Sequence, residues 1–446
     1  MPAAQKRTPR FAAHTAVSRI ERDNAYTDIV LSHILERTPF EKRDRAFITE
    51  LVRGTIRWKK RFDWIIDQLF TGKKNQMPDE VRWLLWQGLY QLEFMNVPAF
   101  AAVNECVKLA RSQKQHRWSG VINGILRSFI RHPEAVTFPD VTRNPVSYLA
   151  VTESHPEWMV KHFLSHFGFE KTQAICRANN RAPDLSVRVN DLNSSAAELV
   201  HVLAQHNAIF SESVVPGFYR ITDINYDLRS QLLAEGKITV QDESAGLVGL
   251  LVNPKPGQIV ADVCAAPGGK ATHLAELMRN QGVILCGDLK RVRVGLIKKA
   301  AERLNVACLF PVVADAGFFP VRHVDIVLLD APCSGLGVIR KKPDVRWKKV
   351  PADLSDLVDI QRRLIQNVST CLKKGGVLVY STCTINPEEN EKIIDEFLGN
   401  NPDFSLVHAR TQKRVAKEFI TDRGFIRTWP HEQRMDGSFA AKLIKT

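Results

Sequence analysis

The stretch Asp262-Val263-Cys264-Ala265-Ala266-Pro267-Gly268-Gly269-Lys270 decides the fold of the carboxyl-terminal half of this 446-residue chain. It joins the apolar run QIVADV, residues 258–263, to the helical pattern ATHLAELMR, residues 271–279. Small residues between a strand and a helix let a ligand approach the free N–H groups of the helix, which favour a carboxylate or another anion. The spacing is neither the dinucleotide pattern G-x-G-x-x-G nor a P-loop, whose Lys precedes Ser or Thr. We therefore expect an anion-binding loop, against the alternative of a tight turn whose glycines serve packing.

The same alternation of strand and helix continues to the end of the chain. Four more apolar runs, VILCGD, CLFPVVAD, DIVLLDA and GVLVYST, are separated by amphipathic helical patterns. Nearly continuous apolar strands between helices are typical of a parallel sheet covered on both faces. The pattern predicts a Rossmann-like α/β fold, in which ligands bind beyond the carboxyl ends of the strands.

Polar residues follow four of these strands. Asp288 comes after the second strand, where an acid can accept hydrogen bonds from ribose hydroxyls, and Asp315 after the third, where it can face an adenine amino group. Each could instead be a helix cap. The fourth strand ends in Asp330-Ala331-Pro332-Cys333, and the fifth is followed by Cys383. A single buried Cys is more often a small core residue, but two thiols and an acid at one sheet edge favour a thiol reaction.

The rest of the chain predicts two further domains. Residues 1–145 carry helical apolar spacing up to the proline-rich stretch HPEAVTFPDVTRNP and are expected to form an all-helical bundle. Residues 146–240 mix helical patterns with the alternating strand LSVRVN and predict a small α+β domain. The α/β domain then occupies residues 241–446.

The charge of the chain points to a polyanionic partner. Lys and Arg total 62 against 48 Asp and Glu, a formal net charge of +14, and residues 1–150 hold +9 of it. For a folded protein of this size nucleic acid is the first expectation, and a basic surface without a partner is the alternative. Eight dispersed cysteines without a C-x-x-C pair indicate reduced thiols and a cytoplasmic protein. No membrane span or secretion signal is expected. No metal site is expected either, because His162 and His166 have the spacing of a zinc pair but lack further ligands nearby.

The motifs DVCAAPGGK, LLDAPCSGLG, YSTCTINPEENE and DGSFAAKL resemble those of RNA cytosine-C5 methyltransferases. The helical amino-terminal domain and the run GVIRKKPDVRW are similar to the Sun/Fmu group, which methylates small-subunit ribosomal RNA and carries a NusB-like RNA-binding domain. The resemblance implies S-adenosylmethionine as cofactor, 16S ribosomal RNA as substrate and a monomeric enzyme. Residues implied to bind the cofactor are Cys264, Ala265, Ala266, Pro267, Gly268, Gly269, Lys270, Asp288, Asp315 and Asp330. We call residues 264–270 the cofactor loop.

The resemblance also implies roles that spacing alone leaves open. Carbon 5 of cytosine is a weak nucleophile, so an enzyme thiolate first adds to carbon 6. The RNA family uses the Thr-Cys position, which makes Cys383 the nucleophile and Cys333 the thiol that assists product release, whereas the DNA enzymes would nominate Cys333. Asp330 is the implied acid at the cytosine ring. One departure is Lys290, where many members carry a second acid after the one equivalent to Asp288.

Two basic surfaces are candidates for RNA contact. One follows the Pro-Cys motif and the other lies on the helical domain, and a solvated charge run or an exposed basic helix is the alternative for each. Their residues are Lys341, Lys342, Arg346 and Trp347, and Arg111, Lys114 and Arg117. Two rival functions remain: a cytosine-C5 methyltransferase of tRNA or 23S rRNA, and a non-catalytic RNA-binding or antitermination factor. Intact Asp330, Cys333 and Cys383 argue against the second.

Overall fold

The computed structural model describes residues 8–446, and the basic start of the chain, residues 1–7, lies outside them. The chain divides into two compact units. The amino-terminal unit comprises Met1–Arg181 and Lys341–Val350, and the carboxyl-terminal unit comprises Ala182–Arg340 and Pro351–Thr446. The ten-residue segment 341–350 thus belongs to the amino-terminal unit although it interrupts the sequence of the other.

The amino-terminal unit is all-helical. Its core forms where the apolar stripe of the longest helix, including Ile48, Leu51 and Ile56, packs in one cluster with Leu84 and Leu126 from two later helices. A stripe recurring every three to four residues buries one face of each helix. The helices are α1 Pro9–Arg22, α2 Thr27–Arg37, α3 Lys42–Leu69, α4 Asp79–Glu93, α5 Ala99–Ser112, α6 Ser119–Arg131, α7 Pro145–Thr152, α8 Glu157–Asn180 and α14 Val345–Lys348.

The carboxyl-terminal unit begins with a small sheet domain. Its four antiparallel strands have the order β2-β3-β1-β4, an arrangement that the sequence left undetermined. Two helices accompany the strands and share a core with them around Val187, Leu203 and Ile221. The elements are β1 Leu185–Val189, α9 Ala196–Gln205, β2 Ile209–Glu212, β3 Phe218–Asp223, α10 Tyr226–Ala234 and β4 Ile238–Val240.

The main sheet domain follows, with strand order β10-β12-β9-β8-β5-β6-β7 and β11 paired to β12. Strands β9, β8, β5, β6 and β7 run parallel, and β12 is antiparallel to β9. The elements are α11 Glu243–Val252, β5 Ile259–Asp262, α12 Gly269–Leu277, β6 Val283–Asp288, α13 Arg291–Arg303, β7 Leu309–Val313, β8 Val324–Asp330, α15 Pro351–Ser369, β9 Leu372–Thr382, α16 Glu391–Asn400, β10 Phe404–Val407, β11 Ile426–Thr428 and β12 Ser438–Lys445.

These observations confirm the predicted fold class, an all-helical region followed by a small α+β domain and an α/β domain. The predicted domain bounds 145/146 and 240/241 stay a prediction, and the two compact units divide the chain at other positions. Helices α7 and α8 belong to the amino-terminal unit, and the small and main sheet domains share one unit. Proline and composition signals mark where elements end, but unit membership depends on which side chains pack together. Among residues 8–446 we find no helix of the length and apolarity needed to cross a membrane.

Candidate active site

The cofactor loop connects β5 to α12 at the carboxyl end of the parallel sheet. Ala265 donates its N–H to the carbonyl of Gly287 at 2.8 Å, and Gly268 donates to the carbonyl of Ala265 at 2.7 Å. Gly268 has φ +106°, and a Cβ there would lie 3.3 Å from the Cα of Ile297. The positive φ favours glycine, and the nearby Cα of Ile297 leaves little room for a side chain. The loop therefore presents the first-turn N–H groups of α12, which have no partner within the helix.

Asp262, the last residue of β5, is a site residue that the sequence analysis quoted but did not select. Its carboxyl is completely buried. Burial and, after it, the nearby charge of Asp330 raise the pKa of Asp262 to about 8. A strongly shifted carboxyl beside a ligand loop is typical of functional sites. An acid in an otherwise apolar strand was the available signal.

Asp288 and Asp315 lie at the carboxyl ends of β6 and β7, as predicted. Asp288 is buried, accepts the N–H of Lys290 at 3.0 Å and pairs with Arg293 at 3.4 Å. Asp315 accepts the N–H of Gly317 at 2.7 Å and caps a short 3-10 helix. Both carboxylates thus have the local turn or cap contacts considered as alternatives, and both occupy the sheet edge where a nucleoside would bind.

Two thiols meet beside this edge. The Sγ atoms of Cys333 and Cys383 are 3.1 Å apart although the residues are fifty positions apart in the chain. The contact with Cys383, followed by burial, raises the pKa of the Cys333 thiol well above its usual range. This environment favours the protonated form of Cys333.

Asp330 is fixed by two donors. Its carboxylate accepts the Lys270 ammonium at 2.8 Å and the Ser381 hydroxyl at 2.8 Å. Burial opposes the charge of Lys270, but Asp330 and then Cys383 outweigh it and raise the pKa of Lys270. The cofactor loop, the acid and the thiols therefore form one electrostatic cluster.

Glu389 joins the two thiol-bearing loops and was missed as a site residue. The side chain is completely buried. Its carboxylate accepts the N–H of Ser334 at 2.7 Å, the Asn386 amide at 3.0 Å and the Gln361 amide at 3.2 Å. Ser334 also bonds Thr384 at 2.8 Å. Because Ser334 and Thr384 directly follow the two cysteines, this network links the two thiol-bearing loops.

The predicted RNA contact of Arg346, in the segment 341–350, needs correction. Arg346 has no exposed surface and donates to the carbonyls of Ser154 and Asn179 and to the Asn180 side chain. Trp347 donates its indole N–H to the carbonyl of Ile56 at 2.7 Å. Both side chains hold the segment within the amino-terminal unit. Arg346 is thereby withdrawn from RNA, whereas Trp347 is only half-buried and its RNA contact stays a prediction. The acceptors are mostly main-chain carbonyls distant in sequence, so the residue pattern of the basic segment could not predict these hydrogen bonds.

Other predicted RNA residues are accessible. Lys342, Arg111, Lys114 and Arg117 are exposed, and Lys341 is half-buried. No group of three or more His, Cys, Asp or Glu side chains within residues 8–446 is arranged to hold a metal ion.

Three family models match parts of this chain. Residues 249–444 match the family model described as 16S rRNA methyltransferase RsmB/F, residues 7–131 match the NusB family, and residues 155–216 match the ferredoxin-like domain of RsmF/B-like methyltransferases. The chain is 34% identical to the probable ribosomal RNA small subunit methyltransferase B of Bacillus subtilis (strain 168) over 99% of both chains.

Two more relatives support the match. Identity with the ribosomal RNA small subunit methyltransferase B of Yersinia enterocolitica is 34% over 98% of both chains. The crystal structure of PH0851 superposes with a TM-score of 0.80 at 26% identity, covering 100% of this chain and 99% of that chain. This chain therefore belongs to the RsmB/F family of 16S rRNA methyltransferases and is an S-adenosylmethionine-dependent RNA cytosine-C5 methyltransferase.

Proposed function

We propose that this enzyme methylates carbon 5 of a cytosine in 16S ribosomal RNA through a covalent adduct between Cys383 and carbon 6. The observation that carries the proposal is the 3.1 Å contact of the Cys333 and Cys383 sulfurs beside the Lys270–Asp330 pair. A non-catalytic RNA-binding factor would have no need of two touching thiols, a paired acid and a cofactor loop at one sheet edge.

The proposed reaction starts with the thiolate of Cys383 adding to carbon 6, which makes carbon 5 an enamine nucleophile. Carbon 5 then takes the methyl group, its proton leaves to a base, and elimination breaks the bond from Cys383 to carbon 6. Lys270 and Cys383 interact electrostatically, because the charge of Cys383 contributes to the raised pKa of Lys270. The release step is assigned to Cys333 because the resemblance to the RNA enzymes places the nucleophile at the Thr-Cys position, and the raised pKa of the Cys333 thiol accords with that assignment.

Asp330 is proposed to contact the cytosine ring. Protonation of ring nitrogen 3 withdraws electrons from carbon 6 and promotes addition, and the carboxylate of Asp330 would stabilise the protonated ring by accepting its N–H. Lys270 and Ser381 hold the two carboxylate oxygens, which fixes the plane of the group before the base arrives.

The residues present fit S-adenosylmethionine, which supplies an electrophilic methyl group. The glycine cradle at Gly268 and the free N–H groups of α12 suit its methionine carboxylate. Asp288 and Asp315 would hold the ribose and the adenine. The rest of the cofactor loop and Asp330 would contact the methionine part.

The exposed cations Arg111, Lys114 and Arg117 are proposed to bind RNA phosphates, with Lys341 and Lys342 as further contacts. Changing the first three to Gln should weaken RNA binding and make the slope of log affinity against log salt concentration shallower, by about 0.7 to 0.9 for each phosphate that the protein no longer neutralises. An unchanged slope would contradict this assignment.

Covalent trapping tests the mechanism. With 5-fluorocytosine RNA and cofactor, the wild type should form a stable protein–RNA adduct that denaturing gels resolve. Cys383→Ala should form none, whereas Cys333→Ala should accumulate an adduct on ordinary RNA. An adduct formed by Cys383→Ala would overturn the assignment of the nucleophile.

Bisulfite sequencing of ribosomal and transfer RNA from a deletion strain tests the substrate. The proposal expects one unmethylated cytosine in 16S rRNA, restored by the wild-type gene and not by Cys383→Ala. Loss confined to tRNA or 23S rRNA would favour the rival substrates.

We expect the enzyme to act as a monomer in the cytoplasm, where thiols remain reduced.

A further inference from the structure

Arg188, on β1 of the small sheet domain, is among the largest completely buried side chains of the described residues. One terminal nitrogen donates to the side chain of Gln241 and to the carbonyl of Gly269, the latter at 3.2 Å. The other donates to the hydroxyl of Thr272 at 3.2 Å and to the carboxylate of Glu276 at 2.6 Å. A single guanidinium thus has four acceptors.

Three of these acceptors lie on α12, the helix that starts at the cofactor loop. Gly269 is the first residue of α12 and belongs to the loop itself. Thr272 also donates its hydroxyl to the carbonyl of Gly269, at 3.1 Å. Arg188 therefore contacts the first turn of α12 directly and through Thr272, and it reaches the next turn through Glu276.

Stability alone gives little reason for this ion pair. Burial lowers the pKa of Arg188 and raises the pKa of Glu276 to about 7, so both charges are costly where they lie. Replacing a buried ion pair with apolar residues of similar volume is often neutral or stabilising. The planar five-donor fork of Arg does, however, fix the orientation of the groups that it binds.

We propose that Arg188 is a positioning residue for S-adenosylmethionine, which makes the small sheet domain part of the cofactor site. By holding the carbonyl of Gly269, Arg188 sets the first-turn N–H groups of α12 and the backbone of Lys270, the partner of Asp330. The inference rests on the cofactor assignment above and is independent of which cysteine attacks.

The chain offers a matched control in Arg303, at the end of α13. Arg303 also joins the main sheet domain to the small one, by donating to the carbonyls of Leu233 and Ile238 and to the hydroxyl of Thr239 at 2.9 to 3.1 Å. None of these acceptors belongs to the cofactor loop. Loss of Arg303 should therefore weaken the junction of the two domains without moving the loop.

The test compares Arg303→Met with the double variant Arg188→Met, Glu276→Leu, which leaves no buried carboxylate without a partner. Calorimetric binding of S-adenosylhomocysteine should weaken roughly tenfold or more in the double variant and less than twofold in Arg303→Met, because small misplacements of a binding group are costly. RNA affinity should stay within about twofold of wild type in both. Arg188→Lys, which cannot fork between Gly269 and Glu276, should be intermediate.

Two results would overturn the inference. One is unchanged binding of S-adenosylhomocysteine by the double variant when its thermal unfolding shows a folded protein. The other is equal weakening by Arg303→Met, which would mean that the junction as a whole matters. If the double variant does not fold, Arg188→Lys provides the same comparison. Wild-type protein that binds S-adenosylhomocysteine without trapping RNA would refute the covalent mechanism and leave this inference standing.

Discussion

Replacement of Arg346 by Met tests whether the basic segment 341–350 is structural or RNA-binding. The guanidinium donates to the carbonyl of Ser154 at 2.9 Å, to the side chain of Asn180 at 2.9 Å and to the carbonyl of Asn179 at 3.1 Å, all within the amino-terminal unit. Met has similar length and no donor. The change leaves three acceptors without this partner.

The expected cost follows from those hydrogen bonds. A buried acceptor that loses its donor costs about 1–3 kcal/mol. Part of this lost stability is recovered when the charge is removed. Burial lowers the pKa of Arg346 to about 9, so the folded state disfavours the charged form of the side chain. We expect a net loss of roughly 2–4 kcal/mol from the free energy of unfolding of the amino-terminal unit.

Urea unfolding followed by tryptophan fluorescence suits this measurement, since seven of the eight tryptophans belong to the amino-terminal unit. Lys342→Met is the matched control, because Lys342 is exposed in the same segment. The control should keep wild-type stability and, if Lys342 contacts phosphate, lose RNA affinity at low salt. Wild-type stability of Arg346→Met together with weakened RNA binding would refute the structural role and restore the predicted RNA contact.

Three further predictions concern the active site. Burial raises the pKa of Asp262 to about 8, so between about pH 4 and 8 the unfolded chain releases this proton while the folded protein keeps it, and the stability of the wild type falls as pH rises. Asp262→Asn should therefore gain stability relative to wild type across that range. Urea midpoints of the two proteins that stay parallel between pH 5 and 8 would contradict this. Glu389→Gln places an amide group against hydrogen-bond donors and should lower the free energy of unfolding by about 1–3 kcal/mol. It should also lower kcat with little change in the KM for cofactor. The neighbouring Glu388→Gln should leave both stability and kcat unchanged. Hydrogen peroxide should oxidise the thiols of Cys333 and Cys383 to a disulfide, a reaction in which two thiols and one peroxide give one disulfide and two waters. Activity should be lost on oxidation and return with dithiothreitol. Peptide mapping that finds the two cysteines unlinked after inactivation would contradict this prediction.

Residue types at strand ends made the location of the candidate active site predictable. A parallel sheet brings the carboxyl ends of its strands to one edge, so apolar runs that end in Asp288, Asp330 or a Cys place those side chains together before any coordinates are known. The structure adds the distances, such as the 3.1 Å between the two sulfurs, and the pairing of Lys270 with Asp330.

The sequence by itself determined the fold class and the residues of the sheet edge, because both follow from short-range periodicity and the geometry of parallel strands. Only the tertiary structure decided what the buried polar residues do. Lys342 and Arg346 are alike in a basic run, yet one is exposed and the other is buried against acceptors more than 160 positions away. Arg188 and Glu389 likewise form hydrogen bonds with partners outside their own elements. A buried hydrogen bond is set by packing between elements, and local pattern does not contain that information.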